Sequence, residues 1–390
     1  MPSTMLRVAA PLLAALIASD LAAQLVGWRD ESFPNTSGSG TPLLACRVFY
    51  PATQLGANTP FKAPAGKYPV VVHLHGAGGD GRATPEMSMA IASVGFVVVM
   101  QDTARSSSST QYADAMALVP ALQVENQSPT SFYQGRLDLT RMGLEGHSMG
   151  GGNTLRVLAA SSAFRAGICF APTAATSQAS VIKFPMLIVV GMGDTVVNWQ
   201  NGALADYNAL ASYTGLKELY LFNTECNHAT MIATPLNSVE LAIFTRTMRL
   251  VTGFWRAWLY DESAALEEVA GPPARNEPRL VQLSIACERP LTLKVPYPGL
   301  PTARVYTFAE PGPGWLLLAL GRGKLTTNHG TLLLDPGTLT AIPAMIGTDR
   351  LFAFDLPLLP PGLETPWRIS VQALAQTRYG VARLGNVEDL

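Results

Sequence analysis

A serine stands at the centre of Gly146-His147-Ser148-Met149-Gly150, and this G-x-S-x-G pattern is typical of an exposed nucleophile. Such a serine lies on a tight turn between a strand and a helix, where glycines are needed because there is no room for β-carbons. The helix behind the turn directs unpaired backbone N–H groups at the atom under attack. The pattern predicts that Ser148 attacks a carbonyl carbon.

A serine hydroxyl is a weak nucleophile, so it needs a histidine as base and an acid that orients the histidine. His228 is the candidate base because it follows the serine and a strand-like segment, and Asp194 is the candidate acid because it follows a buried strand. Ser148, Asp194 and His228 then occur in the chain order of an α/β-hydrolase. The other histidines precede the serine, lie within its pattern or fall in the C-terminal region: His73, His75, His147 and His329.

The oxyanion that forms during such an attack needs two N–H donors. Met149, directly after the nucleophile, predicts one donor, and Ala77 in the glycine-rich segment after an early strand predicts the other. His73 and His75 alternate on that strand and could face a metal together, but no further ligand cluster accompanies them. We therefore expect no metal and no organic cofactor.

Several short apolar runs indicate the strands that position these residues. They alternate with stretches compatible with helices, which predicts a doubly wound, mostly parallel sheet in an α/β fold. In that architecture functional groups gather at the carboxyl ends of strands. The runs are Leu43–Tyr50, Tyr68–His75, Gly95–Met100, Met142–Glu145, Ala166–Phe170 and Met186–Val190.

The pattern changes in the last third of the chain. Helical spacing from Ser238 to about Tyr260 predicts a helix that closes a catalytic domain of residues 24–270. The Pro-rich residues 271–279 resemble a linker, and residues 280–390 carry short strands separated by Pro/Gly turns. We expect this last segment to form a small β-sandwich-like accessory domain that either contacts the substrate surface or stabilises the protein.

Composition excludes several classes of partner. A net charge of −1 gives no basic surface for nucleic acid. Residues 1–23 resemble an export signal, with Arg7 before an apolar stretch, and no later run is long enough to span a membrane. We expect a protein exported to the periplasm or the medium.

Neither the oligomeric state nor the pairing of the four cysteines follows from the sequence. The cysteines are Cys46, Cys169, Cys226 and Cys287.

Together these motifs resemble the secreted cutinase-like and PET-hydrolase group of α/β-hydrolases, with dienelactone-hydrolase-like proteins as wider relatives. The resemblance runs from about Cys46 to about Tyr260 and is carried by Arg141–Gly152, Gly95–Thr103 and Pro185–Asp194. It implies the same triad and the same oxyanion donors. The implied substrate pocket involves His75, Gly76, His147 and Thr173.

The sequence differs from the family that it resembles at three positions. Ala77 and Thr173 stand where plastic-active members carry aromatic residues, and Gly191 stands where the partner of Cys226 is expected. A lost aromatic contact weakens binding of an aromatic acyl group by about 1 kcal/mol. The sequence therefore predicts a serine hydrolase for short-chain or aliphatic esters, including polymeric ones. The alternatives are an inactive scaffold used for surface binding, and an acyltransferase or peptidase with the same triad.

Overall fold

The computed structural model describes most of the chain. The described residues are 24–63, 66–80, 84–103, 106–287, 291–296, 302–309, 311–320, 322–327, 330–334, 336–346, 351–357, 369–376 and 382–389. The predicted export signal, residues 1–23, and His329 lie outside them.

Ten strands form one mixed sheet, whose order is β10-β9-β8-β7-β6-β4-β5-β2-β1-β3. The strands from β9 to β5 in this order run parallel, and β2 and β10 pair antiparallel at the two sides. The ten strands are β1 (Leu25–Pro34), β2 (Leu43–Ala52), β3 (Gly56–Ala57), β4 (Tyr68–Leu74), β5 (Val97–Gln101), β6 (Leu137–His147), β7 (Ala166–Phe170), β8 (Met186–Gly191), β9 (Leu216–Phe222) and β10 (Leu280–Cys287).

Helices cover the sheet, and their apolar sides bury the continuous hydrophobic faces of β4, β5, β7 and β8. The predicted α/β class is thus confirmed. The helices are α1 (Pro85–Ser93), α2 (Ser108–Gln127), α3 (Met149–Ala160), α4 (Thr176–Ala179), α5 (Ala205–Ala209), α6 (Ser238–Leu259), α7 (Leu266–Ala270) and α8 (Pro272–Arg275), with single turns of other helix types at Gln200–Leu204, Ser263–Ala265 and Pro336–Thr338.

Helix α6 illustrates how the sequence sets these elements. It begins after Asn237, whose side chain accepts the N–H groups of Val239 and Glu240. The apolar side predicted from the spacing is buried, and Trp255 reaches the centre of the core. Among the described helices, none is both long and apolar enough to cross a membrane.

The C-terminal region consists of antiparallel sheets. Side chains of a three-stranded and a four-stranded sheet pack together through Val305, Leu316 and Val371, which agrees with a sandwich-like arrangement. The strands are β11 (Leu291–Pro296), β12 (Thr302–Phe308), β13 (Gly312–Leu320), β14 (Arg322–Thr327), β15 (Gly330–Leu334), β16 (Thr340–Ile346), β17 (Leu351–Pro357), β18 (Ile369–Gln376) and β19 (Ala382–Asp389).

The predicted start of the accessory domain at residue 280 needs correction. Strand β10 pairs with β9 and completes the hydrolase sheet, so it does not belong to the C-terminal sheets. The predicted linker, residues 271–279, contains helix α8, and the Ala274 carbonyl accepts the hydroxyl of Tyr220 at 2.9 Å. The sequence cue failed because short alternating strands look alike whichever sheet they join.

Candidate active site

The turn from β6 into α3 holds Ser148 in a strained backbone conformation. Its φ of 56° and ψ of −118° fall in a region that residues other than glycine rarely occupy. Such a conformation costs about 1 to 3 kcal/mol and persists only where the surroundings enforce it. The backbone N–H of Ser148 donates to Phe170 O at 2.9 Å, and the Thr173 N–H donates to Ser148 O at 3.1 Å. Neighbouring strand ends therefore hold the serine in place.

The glycines of the predicted elbow are required by close contacts with the backbone. A β-carbon on Gly146 would lie 2.4 Å from Gly150 O. One on Gly150 would lie 2.1 Å from Leu74 O and 2.6 Å from His75 O. Helix α3 can therefore start directly beside the end of β4 only when these positions lack side chains.

The side chains of His228 and Asp194 lie in contact. His228 Nδ1 lies 2.7 Å from Asp194 Oδ2. The other carboxylate oxygen of Asp194 accepts the N–H groups of Val196 and Val197 at 2.8 and 2.9 Å. Because both oxygens have donors, the carboxylate is fixed and can hold the imidazole with its proton on Nδ1.

His147 supports His228 from the elbow side. Its Nε2–H donates to the backbone carbonyl of His228 at 2.8 Å, and the two ring centres lie 4.5 Å apart. Burial, reinforced by the nearby His228 ring, lowers the pKa of His147 to about 4. His147 is therefore neutral near pH 7, and its proton stays on the nitrogen that holds the His228 backbone.

A cavity of about 370 Å³ opens at the carboxyl ends of the central strands. Ser148, His228, His75, Gly76 and Ala77 line it, and the carboxyl ends of the strands are where α/β folds of this kind place ligands. The other described lining residues are His73, Gly79, Asp80, Thr84, His147, Val196, Ala229, Ile232 and Ala233. The described lining residues carry imidazoles, small or aliphatic side chains, the carboxylate of Asp80 and the hydroxyls of Thr84 and Ser148, and none of them carries a phenyl, phenol or indole ring.

The loop that carries Ala77 is anchored through His75. The two ring nitrogens of His75 lie 2.8 Å from Gly76 O and 2.8 Å from Thr103 O. Gln111 donates its amide to His75 O at 2.9 Å. Asn153 of α3 donates to Gln111 Oε1 at 2.8 Å, so one buried network joins this loop to the helix behind the serine.

Thr173 is the one predicted pocket residue that the structure places elsewhere. Its side chain is exposed and lies outside the described cavity lining. A β-carbon on Gly152 would lie 2.3 Å from Thr173 Oγ1, so the threonine packs over the first turns of α3. The resemblance aligned its sequence position but did not determine where its side chain points.

A second buried histidine and carboxylate lie below the cavity, and the sequence did not reveal them as a pair. His73 Nδ1 is 3.0 Å from Glu145 Oε1, and Glu145 Oε2 accepts the indole N–H of Trp255 at 3.0 Å. His73 and Glu145 are register partners on β4 and β6. Chain spacing gives no sign of this contact because parallel strands pair across about 70 residues.

Three of the cysteines are buried and unpaired. Cys46, Cys169 and Cys226 are free thiols. Burial raises the pKa of Cys226 to about 12 and the pKa values of Cys46 and Cys169 well above their ordinary value. None of the three is therefore a reactive thiolate near pH 7. Among the described residues, no group of three or more His, Cys, Asp or Glu could hold a metal ion.

Part of the chain is similar to proteins of a known family. Residues 60–249, just under half of the chain, match the model of a PET hydrolase-like family. This segment is similar to PET hydrolase-like proteins, and its sheet and helices form an α/β fold. The matched segment contains Ser148, Asp194 and His228, together with the cavity and the elbow glycines.

Curated relatives agree with the family match. The chain is 33% identical to cutinase 2 of Thermobifida cellulosilytica over 34% of the chain and 49% of the relative. It is 30% identical to cutinase est1 of Thermobifida alba over 40% and 50%. It is 27% identical to bis(hydroxyethyl) terephthalate hydrolase of Streptomyces coelicolor over 47% and 55%. The chain thus spans about half the length of these relatives.

Proposed function

We propose that this protein hydrolyses carboxylic esters through Ser148, His228 and Asp194. The observation that carries the proposal is the strained serine at a helix start, in the same cavity as a histidine whose Nδ1 lies 2.7 Å from a buried carboxylate. The family match and the cutinase relatives support the same reaction class. The triad logic needs no metal or cofactor.

The proposed reaction has two halves. Ser148 Oγ attacks the ester carbonyl while His228 Nε2 takes its proton, and the backbone N–H groups of Met149 and Ala77 stabilise the oxyanion. His228 then protonates the leaving alcohol, which leaves an acyl group on Ser148. Water, deprotonated by His228, attacks this acyl-enzyme, and the acid departs as Ser148 regains its proton. Asp194 orients His228 throughout and stabilises its cationic form.

The proposed substrates are short-chain or aliphatic esters, including aliphatic polyesters. The support is the cavity lining, where Ala77, Val196 and Ile232 provide aliphatic contacts and the described residues provide no large aromatic ring. An aromatic acyl group would miss a stacking contact of roughly 0.5 to 1.5 kcal/mol. A panel of p-nitrophenyl esters and of aliphatic and aromatic polyester films measures this preference directly.

Substituting the nucleophile tests the proposal. Ser148→Ala is expected to abolish hydrolysis of p-nitrophenyl butyrate and labelling by a fluorophosphonate probe, while circular dichroism remains unchanged. Retained turnover would refute the assignment. A wild-type protein that neither labels nor hydrolyses any ester is instead a scaffold used for surface binding. Amide substrates and acceptor alcohols in the same assays separate peptidase and acyltransferase activity from hydrolysis.

We also propose that the protein is exported and that the C-terminal sheets form an accessory domain. The domain test should end the chain after Cys287, because ending it near Gly271 would remove β10 and leave the edge of β9 unpaired. We expect the protein shortened after Cys287 to retain hydrolysis of soluble esters. Loss of action on polymer film alone would assign the sheets to substrate contact, whereas loss of thermal stability alone would assign them to stabilisation. Fractionation of a culture tests export.

A further inference from the structure

Below the serine lies a hydrogen-bonded chain of three buried side chains. His73 and Glu145 are 1% and 0% exposed, and Trp255 is fully buried. A β-carbon on Gly143 would lie 2.5 Å from the Trp255 ring, so this glycine makes room for the indole that donates to Glu145. The carboxylate therefore holds a donor on each oxygen, and it fixes the orientation of the His73 ring through Nδ1.

The other ring nitrogen of His73 is available to the cavity. His73 lines the cavity together with Ser148, and its Nδ1 is occupied by Glu145. Among the hydrogen bonds of the described residues, Nε2 has no partner.

A buried pair of a histidine and a carboxylate contributes little net stability to a sheet, because both groups lose their hydration. Apolar residues of similar volume usually stabilise a protein as well as a buried ionisable pair does, or better. Polar groups that line an otherwise apolar pocket typically orient a ligand. We propose that His73 is a specificity-determining residue, whose Nε2 hydrogen-bonds a hydroxyl group on the acyl chain of the substrate ester.

The hydrogen-bonding capacity of His73 Nε2 indicates a hydroxyl as its partner on the substrate. A neutral imidazole with its proton on Nδ1 offers a lone pair at Nε2, and a protonated imidazole offers an N–H. A hydroxyl is a common substituent of acyl chains that can serve both forms, because it donates and accepts. The substrate class is therefore hydroxyacyl esters. This inference rests on the proposed ester hydrolysis and specifies its acyl group.

The test compares the wild-type enzyme on matched pairs of p-nitrophenyl esters. Each pair joins a plain acyl chain with the same chain carrying a hydroxyl at carbon 3, 4 or 6, so that the distance from the ester is scanned. We expect kcat/KM for at least one hydroxyacyl ester to exceed that of its plain partner about tenfold, the worth of one hydrogen bond. His73→Asn places an amide where Nδ1 stood, so it can still donate to Glu145, but it removes the atom at Nε2.

In His73→Asn the ratio of kcat/KM for the hydroxyacyl ester to kcat/KM for its plain partner, both measured on the same variant, should fall to about one. A preference that survives in His73→Asn overturns the inference. So does a wild-type enzyme that hydrolyses the plain esters and prefers no hydroxyacyl partner, an outcome that leaves the proposed function intact. Failure to hydrolyse any ester refutes the proposed function itself. Because the wild-type ratio is measured first, the inference stays testable if the variant does not fold.

Discussion

Substituting Gly150 with alanine would place a methyl carbon against the main chain of β4. The added carbon would lie 2.1 Å from Leu74 O and 2.6 Å from His75 O. Carbon and oxygen atoms normally approach no closer than about 3.3 Å. The start of α3 and the end of β4 must therefore separate by about 1 Å. Both carry groups that the proposed mechanism needs, the N–H of Met149 on one side and that of Ala77 on the other.

Two effects of opposite sign compete in this variant. Alanine in a helix is more stable than glycine by about 1 kcal/mol, whereas overpacking costs typically about 1 to 3 kcal/mol. Overpacking should win because the atoms in the way are backbone carbonyls of a central strand and cannot rotate aside. We expect Gly150→Ala to lose up to about 2 kcal/mol of unfolding free energy. A 1 Å displacement of catalytic groups should also lower kcat/KM about 100-fold.

The assay combines p-nitrophenyl butyrate kinetics with urea unfolding. Gly66→Ala is the matched control, because a β-carbon there meets nothing within 4 Å. The control should behave as wild type. If Gly150→Ala keeps kcat/KM within threefold of wild type and becomes more stable, the helix start is not confined by β4. The positioning argument for both oxyanion donors then fails.

Three further predictions concern His147, Asp206 and Gln111. The pKa of His147 is about 4 in the folded protein and about 6.5 in the unfolded chain. Between these pH values the unfolded chain binds more protons than the folded protein, so the free energy of unfolding falls as the pH drops from about 6.5 to about 4. Urea unfolding should show that the unfolding free energy is roughly 1 to 2 kcal/mol lower at pH 4.5 than at pH 7.5, and this difference should be absent in His147→Phe. The expected difference is smaller than the full pKa shift would give because the His147 ring partly faces the cavity. Burial raises the pKa of Asp206 to about 7, so the folded state loses stability as pH rises from about 4 through 7. Asp206→Asn should therefore stabilise by about 1 to 3 kcal/mol at pH 8.5 and much less at pH 4; an equal gain at both values would contradict burial as the cause. Gln111→Leu removes the donor to His75 O and should lower kcat for p-nitrophenyl butyrate about tenfold with little change in KM, whereas an unchanged kcat would show that the loop needs no such support.

The parts of the fold that the sequence predicted are those whose signals are local. Buried parallel strands form continuous apolar runs, and helix α6 carries an asparagine cap and an apolar stripe, so both could be predicted from short windows. Strand β1 was missed because its polar residues Arg29, Asp30 and Glu31 interrupt the apolar pattern. Strand β10 was assigned to the wrong sheet, because edge pairing is decided by long-range contacts.

In the candidate site, too, the residues that could be predicted belong to local sequence motifs, and the others depend on long-range contacts. Ser148 belongs to a local motif, and the order of the acid and the base narrows the choice to Asp194 and His228. The contact between His73 and Glu145 depends on the register of β4 with β6, which no spacing along the chain encodes. The side chain of Thr173 lies outside the described cavity lining, since an aligned position does not fix the direction of a side chain after a strand end.

Hydrogen-bond partners give a second, independent reason to choose His228 as the base. His147 uses Nε2–H to hold the His228 carbonyl, and burial keeps its ring neutral. His73 directs Nδ1 to Glu145, and both nitrogens of His75 face backbone carbonyls. Of the imidazoles that line the cavity, His228 combines a carboxylate on Nδ1 with the chain position expected of the base. The order of residues along the chain argues against the other histidines as the base. Their contacts indicate that His147 holds the backbone of His228 and that His75 holds the loop with Ala77, and we propose that His73 binds the acyl chain.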